Sequence, residues 1–154
     1  MLSKEYIAGF FDGEGHLGIT ITGKAKQCQL RLTFVNTNYE ILEMINFQYG
    51  GYITLSGTSR PWAASYRSDW KTSYQLKLRP LEIVRFVNDM KDLVIVKAPQ
   101  IKLALEFIEY MNSKDRFENV PKAVGAFRKR TEESIAKELE FKDRMHVLNR
   151  TGAA

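Results

Sequence analysis

Two successive runs in which apolar and polar residues alternate strictly constrain this chain more than any other feature. From Gly15, Leu17, Ile19 and Ile21 alternate with His16, Gly18, Thr20 and Thr22. After Gly23 the alternation resumes, with Cys28, Leu30, Leu32 and Phe34 on one side and Gln29, Arg31, Thr33 and Val35 on the other. A period of two places successive side chains on opposite faces of a strand, so the two runs predict a hairpin with one apolar and one polar face.

The elements around the hairpin follow from caps and periods. Ser3 caps a first helix that runs to about Gly13, with Glu5 in its first turn, where the helix dipole favours an anion. Thr37 followed by Glu40 reads as a capping box, which starts a second helix at Thr37 and ends it at Gly50-Gly51. Tyr52 to Leu55 reads as a third strand. Ser73 to Arg79 reads as a fourth, with Ser73, Gln75, Lys77 and Arg79 facing outward. Pro80 opens a third helix. Leu93 to Val96 is a short apolar run that ends at Lys97, and Pro99 starts a fourth helix. The stretch from about Val120 to Leu148 is charged and helical. The order of elements implies one α+β domain over residues 1–154. Its core spans about residues 4–112 and a helical extension about 113–150, with helices on one face of a twisted antiparallel sheet and the other face open.

Charge bears on that open face. The chain carries 23 basic and 18 acidic residues, and residues 15–79 hold eight basic against three acidic. The excess positive charge therefore lies in the strand-rich stretch, which suggests a polyanion such as nucleic acid. Cys28 is the only cysteine and His16 and His146 are the only histidines, so neither a disulfide nor a thiolate zinc cluster is expected. No apolar run reaches the roughly 18 residues that a membrane span needs, and the first residues lack the pattern of a secretion signal.

The segment Tyr6-Ile7-Ala8-Gly9-Phe10-Phe11-Asp12-Gly13-Glu14-Gly15 carries the chemistry. Gly9 and Gly13, four residues apart, share one helix face and permit a close approach of two helices. Glu14 would then lie near its symmetry mate, and two neighbouring carboxylates repel unless cations sit between them. This segment resembles the signature of the LAGLIDADG homing endonucleases, and the element order resembles that family's αββαββα core. One copy of the motif implies the single-motif, homodimeric branch, with Ala8, Gly9, Phe10, Asp12 and Gly13 at the dimer interface.

The resemblance implies an intron-encoded type of endonuclease that hydrolyses both strands of a long, pseudo-palindromic DNA site. It makes Glu14 the metal ligand, joined by the backbone carbonyl of Gly13, with Mg2+ as the cofactor. Mn2+ can substitute, and Ca2+ can bind without supporting cleavage. Many members have Asp where this chain has Glu14. Asn38 falls where the family often places an amide that orders water, although it reads equally as a helix cap. Lys97 falls at the family's active-site lysine. Leu42 lies near a position where one member type has an arginine.

The DNA-reading face implied by the strands is His16, Thr20, Thr22, Lys24, Lys26, Gln29, Arg31, Thr33, Ser73, Gln75, Lys77 and Arg79. Arg60, Arg67 and Lys71 add phosphate contacts from the long polar segment Ser56 to Thr72 between the third and fourth strands. Double-stranded DNA and a second copy of the chain are the expected partners, and no membrane is expected. RNA is the alternative partner, because some family members assist splicing, and a DNA-binding regulator of the same fold that has lost cleavage is the other alternative. The setting is expected to be intracellular, organellar or prokaryotic.

Overall fold

In the computed structural model, residues 1–24, 26–63, 68–113, 116–117 and 129–150 are described. The chain forms helix α1 (Lys4–Glu14), strands β1 (Gly15–Thr22) and β2 (Gln27–Asn36), helix α2 (Tyr39–Tyr49), strands β3 (Tyr52–Leu55) and β4 (Tyr74–Lys77), and helices α3 (Pro80–Met90), α4 (Ala98–Asn112) and α5 (Glu132–Arg150). Ser3 caps α1 by accepting the Tyr6 N–H at 3.1 Å. The sheet is antiparallel throughout, with strand order β1-β2-β4-β3. This is the α+β architecture expected from the alternating runs.

The helices cover one face of the sheet because that face is apolar. Leu17, Ile19, Leu32, Phe34 and Leu76 point into a core shared with Ile7 and Phe11 of α1, Ile45 of α2 and Phe86 of α3. Phe11 meets Phe86 edge-on at 5.3 Å and Phe34 at 5.9 Å, and Tyr49 meets Phe86 at 5.0 Å. Edge-to-face pairing adds directional preference to burial that alone is worth roughly 1.5–3 kcal/mol per such side chain. The aromatic cluster therefore anchors the end of α1 that carries Glu14.

Three expectations shift in detail. The second helix begins after Asn38, not at Thr37, because β2 continues to Asn36 and the Asn38 side chain accepts the Ile41 N–H at 3.3 Å. The fourth strand is shorter than Ser73–Arg79, since its last residues turn into α3, where the Glu82 carboxylate accepts the Arg79 N–H at 2.7 Å. Residues 93–96 form turns that lead into α4. Of the helix expected from Val120, residues 118–128 lie outside the described residues, and α5 is the part described.

Candidate active site and nucleic-acid interface

The segment from Asp12 to Gly15 changes directly from helix to strand. Glu14 is the last residue of α1 and is exposed. Gly15 caps the helix with an N–H bond to the Phe11 carbonyl. The change leaves no room for a side chain at this point. A Cβ on Gly15 would lie 2.2 Å from the Phe11 ring and 2.7 Å from its carbonyl oxygen.

Lys97, expected at the active site, does meet the end of α1. Its ammonium donates to the Phe11 carbonyl at 3.0 Å and to the Asp12 carbonyl. It also lies 5.6 Å from the centre of the Phe11 ring. Burial pushes the Lys97 ammonium below its usual pKa, while the charges of Asp12 and Glu14 oppose that shift. The structure thus brings Glu14 and Lys97 to one place from residues far apart in sequence.

Other expected site residues fall elsewhere. Asn38 has its side-chain oxygen engaged in capping α2, which favours the cap reading over a water-ordering role. Ala8 is only 1% exposed, because it shares the inner face of α1 with Ile7 and Phe11 and not the face of Gly9 and Gly13. It is core, not interface. Phe10 is half-buried and stacks on Phe34 at 5.9 Å and on Tyr6 at 6.5 Å. Asp12 also departs from the interface assignment, since its carboxylate turns toward its own chain and accepts the N–H groups of Ile95, Val96 and Lys97. Gly9 and Gly13 do lie on an open face, with nothing within 4 Å of a Cβ built on either.

The open sheet face is arranged in rows. Antiparallel partners share a face, so the pairings place His16, Thr33, Lys77 and Tyr52 in one row across all four strands. Gly18 pairs with Arg31 and Thr20 with Gln29 in the next rows. The His16 ring lies beside Gly18, where a Cβ would come 3.1 Å from Nε2. Burial and then the charges of Arg31 and Lys97 lower the His16 pKa from its ordinary value, which disfavours the charged ring.

Thr33 is only 4% exposed, in the central strand between His16 and Lys77, so it cannot read DNA as a free side chain. Thr20, Thr22, Gln29, Arg31, Lys77 and Arg79 line one shallow groove together with Tyr52. Tyr52 was missed as a site residue. Its register with Lys77 is the signal that identifies its face.

The remaining basic and polar positions vary. Lys24 and Lys26 are exposed at the β1–β2 turn, where Gly23 and Lys26 both take positive φ. Gln29 donates to Thr22. Gln75 is half-buried on the outer register beside Val35. Ser73 does not project from the sheet: it joins Ser56 and Ser59 through hydrogen bonds that close the base of the loop. Arg60 donates from Nε to the Leu55 carbonyl at 3.3 Å, Lys71 is exposed, and Arg67 lies outside the described residues. Arg79, itself exposed, lies 3.6 Å from the half-buried Glu82 carboxylate.

For a metal, one chain offers the Glu14 carboxylate and the adjacent Gly13 carbonyl. Both are hard oxygen donors, the type that Mg2+ and Ca2+ prefer. Among the described residues no group of three or more His, Cys, Asp or Glu side chains gathers to hold an ion. The donor set fits a hard divalent cation whose shell is completed from outside one chain. A cleft of about 880 Å3 between α4 and α5 is lined by Pro99, Leu103, Leu139 and Val147 among others and includes no residue of this site.

The comparisons bear on the family and the fold. The family model described as LAGLIDADG endonuclease matches residues 7–81. The solved homing endonuclease I-CvuI, in complex with its target in the presence of Ca, is 19% identical with a TM-score of 0.63; the match covers 94% of this chain and 80% of that one. The homing endonuclease I-TnaI is also 19% identical with a TM-score of 0.63, over 97% of this chain and 95% of that one. The LAGLIDADG homing endonuclease I-GzeII in complex with its DNA target is 18% identical with a TM-score of 0.64, over 96% of this chain but 46% of that one. At these identities the likeness establishes the fold. No curated protein matches in sequence.

Proposed function

We propose, from the match of residues 7–81 to the LAGLIDADG endonuclease family model, that the chain is a member of that family and a magnesium-dependent homodimer that cuts both strands of a long, pseudo-palindromic DNA site. The observation that carries the reading is the exposed Glu14 carboxylate at the end of α1, beside Lys97 and at the start of the basic sheet.

The sheet binds the duplex. Arg31 and Lys77 on the outer register meet phosphates or guanine edges, and Gln29 and Gln75 suit adenine. The groove they share with Tyr52 sets which bases are reached. Two copies of α1 pack through Gly9 and Gly13, whose open face admits a second backbone. That packing sets the two Glu14 carboxylates close together, where they repel unless cations intervene. A hard divalent cation held by Glu14 and the Gly13 carbonyl would supply an activated water and charge for the leaving oxygen. Support for two copies comes from I-GzeII, in which the matched region fills under half of the chain. Support for DNA and for divalent cations comes from I-CvuI, which was solved with DNA and Ca, and again with Mg and uncleaved DNA.

The test removes one charge. Glu14→Gln keeps size and shape but loses the anionic ligand in each subunit. Cleavage of a selected target in magnesium is expected to fall below detection while a gel-shift complex persists, because binding rests on the sheet. Substantial cleavage by the purified variant would overturn Glu14 as the essential ligand.

A further inference from the structure

The Asp12 carboxylate accepts three consecutive backbone N–H groups, from Ile95 at 2.9 Å, Val96 at 3.1 Å and Lys97 at 2.9 Å. In return the Lys97 ammonium donates to the carbonyls of Phe11 and Asp12. Residues 85 apart in sequence thus hold each other's backbone. We propose that Asp12 is a positioning residue for cleavage: by fixing the 95–97 turn it seats the Lys97 ammonium on the last carbonyls of α1, and so sets the backbone that presents Gly13 and Glu14.

Buried Val94 precedes the turn and the Lys97 carbonyl accepts the Ile101 N–H after it, but the turn between them is held by Asp12. Ile95 is 83% exposed and Val96 52%, so burial of these side chains does not hold the segment. A carboxylate that accepts three N–H bonds is a strong, charge-assisted anchor. At the other end, the carboxyl terminus of a helix carries partial negative charge, and a cation there is favourable. Glu14 follows Asp12 by two residues, and Gly15 is pressed against Phe11, so a shift of the Phe11 and Asp12 carbonyls passes to Glu14. Misplacement by about 1 Å at a reacting group costs on the order of 100-fold in rate. Lys97 consequently acts largely through α1, its ammonium being engaged with that helix's carbonyls.

The inference rests on the endonuclease reading for its cleavage readout, whereas the clasp itself is read separately. Asp12→Asn keeps the size but replaces one acceptor oxygen with an NH2 group that faces N–H donors. Three measurements are made on the full chain: amide hydrogen exchange at Ile95–Lys97, single-turnover cleavage across a magnesium titration, and gel-shift affinity. Exchange is expected to accelerate at Ile95–Lys97. The cleavage rate is expected to fall, and the magnesium needed for half-maximal rate to rise, by roughly 10–100-fold, with DNA affinity unchanged.

Lys97→Met is the partner variant. It leaves the three N–H bonds, so protection at Ile95 and Val96 persists while cleavage falls. If Asp12→Asn fails to fold by circular dichroism, Val96→Pro removes one donor at an exposed position and is read against the same outcomes. Unchanged exchange in a folded variant, or wild-type rate and magnesium dependence despite faster exchange, would overturn the proposal. If the wild type itself cleaves no DNA, the endonuclease reading fails. The clasp is then judged by exchange and by Mn2+ broadening of the Gly13 and Glu14 amide signals, which Asp12→Asn is expected to weaken and which, if unchanged, sinks it.

Discussion

Glu138 accepts the backbone N–H of Cys28 at 3.2 Å, across 110 residues of sequence. The same carboxylate pairs with Arg116 at 3.1 Å and with Arg130 at 2.7 Å, and Glu138 is only 1% exposed. Arg116 also donates to the Met111 carbonyl at 2.6 Å, which links the end of α4 to α5. The network satisfies a β2 N–H that no strand pairs, since β4 joins β2 only from Thr33 onward. Glu138→Ala would take the carboxylate away from buried Arg116, half-buried Arg130 and the Cys28 N–H. Breaking a buried pair from one side costs about 3–5 kcal/mol. Urea unfolding should show a loss of that size, and a loss under about 1 kcal/mol, the range of an exposed pair, would mean the network is solvated in solution.

Asp89 gives the fold part of its acid sensitivity. Its carboxyl is held below the ordinary 3.8, first by the hydrogen bond from Lys4 and also by that from Tyr49, against a smaller opposing effect of burial. Asp89 and Lys4 lie 2.9 Å apart, and Tyr49 donates at 3.1 Å. A depressed folded-state pKa means that this stability is present above the unfolded value and is lost as pH falls through the folded one. Asp89→Asn should cost about 0.2–1 kcal/mol at pH 7, because solvent screens the pair with Lys4. The cost should shrink below pH 3.8. Unfolding midpoints at several pH values check this, and a cost that stays constant down the acid limb would contradict it.

The legible parts of the fold were those fixed by local period. The alternation from Leu17 to Phe34 specified the hairpin, because a slip of one residue would expose the whole apolar set. The end of α1 was legible for the same reason, since the glycine spacing and the acid after it are local. The start of α2 was not, because Thr37 and Asn38 are both competent caps and only the length of β2 decides between them. Ala8 was misplaced because small size says nothing of whether a face is buried, and about 100° per residue carries position 8 to the side of Ile7 and Phe11. Lys97, a partner of Asp12, and Cys28, a partner of Glu138, lie 85 and 110 residues away, so no local pattern announces them.

Gly15 is the tightest point of the site. Gly15→Ala would bring a Cβ against the Phe11 ring and carbonyl, and Phe11 is itself locked between Phe34 and Phe86. Overpacking of this kind costs about 1–3 kcal/mol. Thermal unfolding should register the loss, and cleavage should fall even at temperatures where the variant is folded, because Glu14 moves with the displaced backbone. An alanine variant of wild-type stability would show that the end of α1 yields freely.

The sheet face predicts a salt signature. Arg31 and Lys77 sit on the outer register with Tyr52. Arg31→Ala and Lys77→Ala should each weaken DNA binding without unfolding the chain. For a phosphate contact, the slope of log affinity against log salt should drop by about one per lost charge. For a base contact, specificity should also relax by roughly 1–3 kcal/mol at one position. Tyr52→Phe should alter target choice more than salt slope, since it removes a hydrogen-bonding group and no charge. Unchanged affinity for both alanine variants at every salt concentration would place the DNA elsewhere.

The last prediction separates the interface from the fold. Within one chain Gly9 faces open space, since nothing lies within 4 Å of an added Cβ. A side chain there therefore starts into open space in the monomer. It should not destabilise the chain, and replacing a helix-interior glycine should favour α1 by up to about 1 kcal/mol. In a dimer joined through this face, the same side chain would stand where two backbones meet. Gly9→Leu should thus yield a folded, undiminished monomer that sediments as one chain, while the wild type sediments as two. Cleavage should disappear with the dimer, because a single Glu14 offers only half of the carboxylate pair. Sedimentation of Gly9→Leu as a full-strength dimer would show that the copies meet through some other face, and a wild type that stays monomeric on DNA would remove the two-fold site altogether.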